Sequence, residues 1–392
     1  MFENGNGKEI GFMVNTDRLL KLFIELCSIP SESKCEREIA EVVSRKTKKL
    51  ANEIWFDEAH KKFDGNCGNL YIKYNGNVDM PPVLLNAHID TVPVKGEIVP
   101  VIHNGIVKSK GDTILGADDK AGVAVIIEVL NTIIEKQLPC PPLEIVFTVA
   151  EEIGLLGAKN MDYSKLNSRY GISLDSAEVE KIVNAAPSQH TLKVEIKGKA
   201  AHAAMNPEEG INAISLASRA ISMLPWGRID EETTTNVGKI QGGVATNIIP
   251  DSTIIDIEVR SMNNDKLGNF TKQIESVFKD QVEAAWIKNE NKIHRADMKF
   301  KVNKEYSSFK ISSKHRLVKA FLNAGCKLDI AVEPVRIGGG SDANIFNQHG
   351  IESVIMGVGM EKYHTSEEFI RISDLNKAAF LLLEALAALS HK

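Results

Sequence analysis

The sequence predicts an α/β fold, a mostly parallel mixed sheet covered by helices, interrupted by an inserted ferredoxin-like α+β domain. Three observations lead there. Apolar strand-like runs alternate with helical runs at both ends of the chain, the pattern of a parallel sheet with helices packed on it. After Ala186 the texture changes to strands alternating with period two, which describes a sheet with one covered face. The length of 392 residues exceeds what one core of ordinary size holds. The predicted organisation is an α/β domain in two parts, residues 1–185 and 306–392, with the smaller domain inserted over 186–305.

Element by element, Leu19 to Leu26 has helical spacing, and Ser33 with Glu36 three positions on reads as a capping box opening a helix through Leu50. Strands follow at Asn69–Tyr74 and Pro82–Ala87, then an apolar helix over Ala121–Ile134, the strand Leu143–Val149 and a short strand Gly171–Leu174. In the inserted region TLKVEIKG, a helix over Gly210–Met223, TNVGKIQGG, STIIDIEVRS, a helix over Asp265–Ile287 and MKFKVNKEY spell β-α-β-β-α-β. The clean alternation of Asp256–Arg260 leaves one sheet face wet or available to a partner. Beyond Ser308 the α/β texture returns with LVKAFLNAG, the buried strand SVIMGVG and the closing helix DLNKAAFLLLEALAALS.

Hydrophobic residues at 43% and charged residues at 25% describe a globular chain. A net charge of −5 lacks the basic excess that nucleic acid or anionic membrane attracts, so neither is an expected partner. Five scattered cysteines without C-x-x-C fit neither a disulfide framework nor a thiolate zinc knuckle, and a reducing cytoplasm is the expected home. The amino terminus lacks the basic-then-apolar pattern of a leader, and no apolar stretch is long enough to span a bilayer. The absence of G-x-G-x-x-G, Walker A, G-x-S-x-G and H-E-x-x-H removes dinucleotide, P-loop, serine-hydrolase and gluzincin readings.

The chemistry-bearing residues cluster after strands. His88 and Asp90 in LLNAHIDTVP stand two apart at a strand end, where a carboxylate can fix an imidazole tautomer and aim the other nitrogen at a metal. Asp118 and Asp119 in GADDKAG precede an apolar helix; one of them would serve as an N-cap, but adjacent carboxylates also suit a cation, and Lys120 reads as a solvated charge. LEIVFTVA runs into Glu151 and Glu152, a pair in which one acid can bind metal while the other shuttles protons. GISLDS ends in Asp175, and GVGMEKYHT brings His364 after a strand. Strand ends of an open α/β sheet are where ligands bind. His, Asp and Glu without Cys are the donors of a two-metal hydrolytic site, and three carboxylates against two divalent ions leave a small positive charge that acidifies a shared water.

With these motifs in this order, the chain resembles the co-catalytic zinc peptidases that include peptidase T, acetylornithine deacetylase, succinyl-diaminopimelate desuccinylase and aminoacylase. HIDTVP, GADDKAG, EEIG and the late His appear in family order, and the resemblance spans nearly the whole chain. It implies two Zn2+ ions, replaceable by cobalt or manganese, with Asp118 bridging, His88 and Asp175 completing one site, and Glu152 and His364 the other. It also implies Glu151 as general base, Asp90 as the residue orienting His88, and a cis peptide between Asp118 and Asp119. In GKAAHAAMNPEEGINAI it implies that His202 reaches across a homodimer, formed through the inserted domain, to steady an oxyanion in the partner's active site. Asn247 and Arg260 match positions used for the substrate's carbonyl and carboxylate; Arg260 alternatively forms a strand-face ion pair. GGGSDAN offers backbone N–H groups for a substrate carboxylate.

The resulting expectation is a cytoplasmic peptidase of the peptidase T type, releasing N-terminal residues from short peptides. An N-acyl amino-acid deacylase or carboxypeptidase is the same-family alternative. A non-catalytic peptide-binding protein retaining the fold is the alternative of another class, against which the retention of every acid weighs.

Overall fold

The computed structural model describes residues 14–289 and 292–390; the amino-terminal stretch read as lacking a leader, and His391, lie outside them. The chain divides into two compact units: Met1–Ala185 with Lys310–Ile337 and Ser341–Lys392, and Ala186–Phe309 with Gly338–Gly340. The inserted unit thus ends at Phe309 rather than 305 and takes in part of the later glycine run. The reason is local: a Cβ at Gly340 would lie 2.2 Å from Tyr306 Cζ, so a glycine lets that turn close on the ring.

The first unit is built on a nine-stranded sheet. In spatial order it runs Glu53–Phe56, Leu70–Tyr74, Leu143–Thr148, Val83–His88, Tyr170–Ser176, Glu352–Gly357, Lys181–Ala186 and Phe309–Lys310, with Glu333–Arg336 also paired to Lys181–Ala186. Leu143–Thr148, Val83–His88, Tyr170–Ser176 and Glu352–Gly357 are mutually parallel, while Leu70–Tyr74 and Lys181–Ala186 join them antiparallel and Glu333–Arg336 pairs parallel to Lys181–Ala186. Leu143–Thr148 and Val83–His88 are buried at every position, as covered parallel strands are. The helix Ala117–Lys136 packs on Val83–His88 and against the helices Thr16–Cys27 and Ile372–Ser390. Because the central strands are parallel, their carboxyl ends share one edge, and the loops leaving them converge there.

Several local expectations give way. The helix after Ser33 is Arg37–Thr47, not Ser33–Leu50, and its N-cap position, Glu36, makes no side-chain cap bond. Both members of the expected capping box are used elsewhere: Ser33 Oγ donates to Asp90 Oδ2 at 2.6 Å, and Glu36 Oε1 accepts from Lys34 N and Ala150 N. Tertiary partners outcompeted the local cap. A small sheet of Met360–Glu361, Phe369–Arg371, Ile106–Ser109 and Pro100–His103 had no counterpart in the sequence reading.

The second unit carries a five-stranded antiparallel sheet ordered Gly227–Arg228, Thr233–Gly242, Ser252–Ser261, Ser188–Lys197, Asp297–Tyr306. Its four long strands lie in the spatial order second, third, first, fourth, the ferredoxin-like arrangement. Helices Ala213–Ser222 and Asn264–Glu283 pack on its strands over a core that includes Leu192, Val194, Ile257, Ile274 and Phe278. The second of these helices stops at Glu283 rather than Ile287, and Trp286–Asn289 forms a hairpin with Lys292–Arg295. Aromatic and β-branched residues at 286 and 287 favour the strand.

Candidate metal centre

His88 is the last residue of its strand and 2% exposed at the side chain. Its Nε2 lies 3.1 Å from Asp118 Oδ1 and 3.9 Å from Asp175 Oδ1. The other oxygen of Asp118, Oδ2, lies 3.0 Å from His364 Nε2, which is 2.9 Å from Glu152 Oε1. Two trios result, His88/Asp118/Asp175 and Asp118/Glu152/His364, each with its donor atoms within 4.8 Å of one another and both containing Asp118.

Asp118 is placed there by the start of the helix Ala117–Lys136. Neither acid is the N-cap; Gly116 is, at φ 74°, and both acids are buried in the first turn. The Asp118–Asp119 peptide bond is cis, as the resemblance implied. Asp119 turns away from the trios: its Oδ2 accepts His88 N at 3.3 Å and its Oδ1 accepts Gly122 N at 3.2 Å. Lys120 is fully buried rather than solvated, donating to Ile29 O at 2.7 Å. Desolvation brings its pKa down to about 8.

Glu151 and Glu152 follow Ala150, which sits in the left-handed region at φ 52°. Buried carboxylates hold three successive amides of this turn. Ala150 N donates to Glu36 Oε1 at 3.0 Å, Glu151 N to Asp90 Oδ1 at 2.9 Å and Glu152 N to Asp90 Oδ2 at 3.1 Å. The imidazole of His88 meets Asp90 chiefly through the main chain, Nδ1 to Asp90 O at 3.0 Å, with the carboxylate 3.4 Å away. Asp90 therefore supports His88 and the acid turn together. Below this layer Ser173, Asn86, Thr148 and Asp342 form a buried hydrogen-bonded chain, ending at Thr148 Oγ1 to Asp342 Oδ2, 2.5 Å.

So many buried carboxylates perturb one another. Burial drives Glu151 well above the usual carboxylate range, with Asp175, Asp342 and Asp90 adding to it and His88 opposing. Burial likewise raises Asp175 and Asp119. For Asp118 burial also pushes upward, but hydrogen bonds from His364 and His88 win and hold it well below normal. His364, bonded to Asp118 and Glu152, is raised to about 10. A site that keeps its acids this crowded is matched to cationic charge.

In the second unit, His202 Nδ1 accepts the amides of Ala204 and Met205 at 3.3 and 3.2 Å. With Nδ1 accepting, the ring proton resides on Nε2. The Asn247 carbonyl accepts Ala203 N at 3.0 Å, so His202 and Asn247 lie on adjoining loops. Arg260 gives Nε and Nη2 to Glu258 and Nη1 to Gly338 O, which is the strand-face ion pair. In the GGGSDAN segment Ser341 Oγ accepts Ala343 N, Asn344 Oδ1 accepts Ser341 N, and the Asp342 carboxylate is buried. Sequence reasoning read Glu36 only as a helix cap and Asp342 only as part of a glycine-rich turn, and it missed the buried Glu368, because nothing in its immediate neighbours distinguishes it from a surface acid.

This acid-rich, thiol-free cluster at the carboxyl edge of a parallel sheet, in a chain that also carries a ferredoxin-like insertion, is that of a metallopeptidase. Comparison with known proteins agrees. The model described as "Peptidase dimerisation domain" matches residues 184–285 and that of "Peptidase family M28" matches 69–213; strand pairing assigns the overlap from Ser188 onward to the inserted sheet. The "Uncharacterized protein YqjE" of Bacillus subtilis is 39% identical, with 95% of this chain and 98% of that protein aligned. The crystal structure of aminopeptidase PepT from Bacillus cereus is 37% identical at a TM-score of 0.88, covering 97% of this chain and 100% of that one. A tripeptidase from Staphylococcus aureus is 37% identical at a TM-score of 0.91 with the same coverage. The chain belongs to the peptidase T-like members of this metallopeptidase family.

Proposed function

We propose that this chain is a dinuclear zinc peptidase that hydrolyses short peptides, releasing N-terminal residues. The observation that carries the reading is the division of Asp118, with one oxygen facing His88 and Asp175 and the other facing His364 and Glu152. The donor set fits zinc, being imidazole and carboxylate without thiolate, and admits cobalt or manganese. His88, Asp118 and Asp175 would hold one ion, and Asp118, Glu152 and His364 the other. When bound, such ions supply Lewis-acid polarisation of the scissile carbonyl and acidification of the attacking water.

The protein's own groups do the rest. Glu151 belongs to the same turn but lies outside both trios, which suits a base that takes the water's proton and passes it to the leaving amine. Asp90 fixes the ring of His88 and the main chain of the acid turn. His202, with its proton on Nε2, is a donor for the developing oxyanion, acting in the partner subunit of a homodimer built through the inserted unit. Asn247 is assigned to the substrate carbonyl. Arg260 is assigned to a substrate carboxylate, which would exchange with Glu258. Five unpaired cysteines favour the cytoplasm.

Digestion of a peptide library by the zinc-reconstituted protein tests this reading. Release of N-terminal residues from di- to tetrapeptides is expected, lost on chelation and restored by metal. Cleavage of N-acyl amino acids alone would establish the deacylase alternative, release of C-terminal residues the carboxypeptidase, and tight peptide binding without turnover the non-catalytic one.

A further inference from the structure

Among the metal-ligand candidates, His364 has the least support from its own backbone. His88 and Asp175 lie on strands, Asp118 starts a helix and Glu152 sits in a turn held by buried carboxylates. His364 lies in an irregular segment at φ 62° with its side chain 43% exposed, at the tip of the hairpin Met360–Glu361 and Phe369–Arg371. Bonds within that tip close it on itself: Thr365 Oγ1 to Lys362 O, Lys362 Nζ to Glu367, and Glu368 N to Thr365 O.

Glu368, at the base of the tip, ties it to the opposite side of the centre. Only 2% exposed, it accepts three backbone N–H groups. Oε2 takes Leu115 N at 2.7 Å and Gly116 N at 2.8 Å, and Oε1 takes Asp118 N at 3.1 Å. These donors belong to the turn that opens the helix Ala117–Lys136, where unpaired amides and the helix dipole favour an anion. One side chain thus joins the loop bearing His364 to the backbone of Asp118, the residue it must face.

Resting on the metal-centre reading above, we propose that Glu368 is a positioning residue that presets the Asp118–His364 spacing and so preforms the metal position made by Asp118, Glu152 and His364. Without it His364 must be ordered each time an ion binds, and that entropic cost falls on this position alone. The other position shares Asp118 but has its remaining ligands, His88 and Asp175, on strands, so it depends less on the clamp.

Metal titration of the stripped protein with Co(II), followed by its absorption spectrum and by elemental analysis, tests this without reference to activity. The wild type is expected to take up two ions. Glu368→Ala should weaken one of them about 10- to 100-fold, the range typical for losing a partner that orients a ligand, with the other weakened distinctly less. Pairing the change with His364→Ala should add little, because that position is already lost, whereas pairing it with His88→Ala should weaken both. Should Glu368→Ala not fold, Glu368→Gln, which keeps one acceptor oxygen, is read the same way with a smaller loss. Equal weakening of both ions, or of neither, overturns the proposal. If His364→Ala alone leaves both ions bound at wild-type affinity, the metal-centre reading has failed instead.

Discussion

Asp90 Oδ1 accepts the backbone N–H of Glu151 at 2.9 Å, joining residues 61 positions apart. The carboxylate expected to orient His88 therefore also aims the proposed base. Asp90→Ala is expected to lower kcat by roughly 10- to 100-fold, as loss of an outer-shell partner does, with a smaller change in KM. Steady-state kinetics at saturating zinc measure this. A pure loss of zinc affinity, with kcat restored at high metal, would confine Asp90 to His88.

Glu151→Gln removes the proton acceptor and keeps the shape of the turn. Turnover should fall by about 10²–10⁴, while elemental analysis still finds the wild-type metal content. Undiminished turnover would assign the base elsewhere.

Asp118→Ala should deplete both ions, since each trio contains that carboxylate. Elemental analysis after dialysis against a weak chelator distinguishes this from a one-sided ligand, which would cost a single ion.

His202→Ala should slow turnover by the equivalent of about 3 kcal/mol, the usual worth of an oxyanion donor, without removing metal. Mixing His202→Ala chains with Glu151→Gln chains under subunit exchange should recover activity, because one site of each heterodimer takes its base from one chain and its donor from the other. Verified heterodimers that remain inactive would show that His202 does not act in trans.

Glu36 is raised to about 7, chiefly by burial and then by the charge of Asp90. A carboxyl raised in the folded state binds its proton more tightly there than in the unfolded chain. Its contribution to stability is thus full below the ordinary carboxylate pKa and disappears as pH rises through about 7. Glu36→Gln, which stays neutral and can still accept from Ala150 N, should remove that decline. Between pH 5 and 8 the wild type should lose on the order of 3 kcal/mol that the variant does not. Parallel pH dependences in thermal melting would refute the assignment.

What the sequence by itself determined is the set of groups proposed to do the chemistry. His88, Glu151, Glu152 and Asp175 could be read because each lies on or just beyond a strand whose period and apolar run are visible locally. The same local periodicity announced the inserted domain. Only the tertiary structure decided which acids face the centre and which support it. Asp119 turns to the amides of His88 and Gly122 while its neighbour divides its oxygens between two histidines. Ser33 and Glu36, spaced as a helix cap, are drawn instead to Asp90 and Ala150. Glu368 meets the amide of Asp118 across 250 residues of chain. Hydrogen bonds of that span are set by how the strands and helices pack, and a buried carboxylate goes to whichever unpaired N–H groups the packing leaves beside it. No spacing along the chain records that choice.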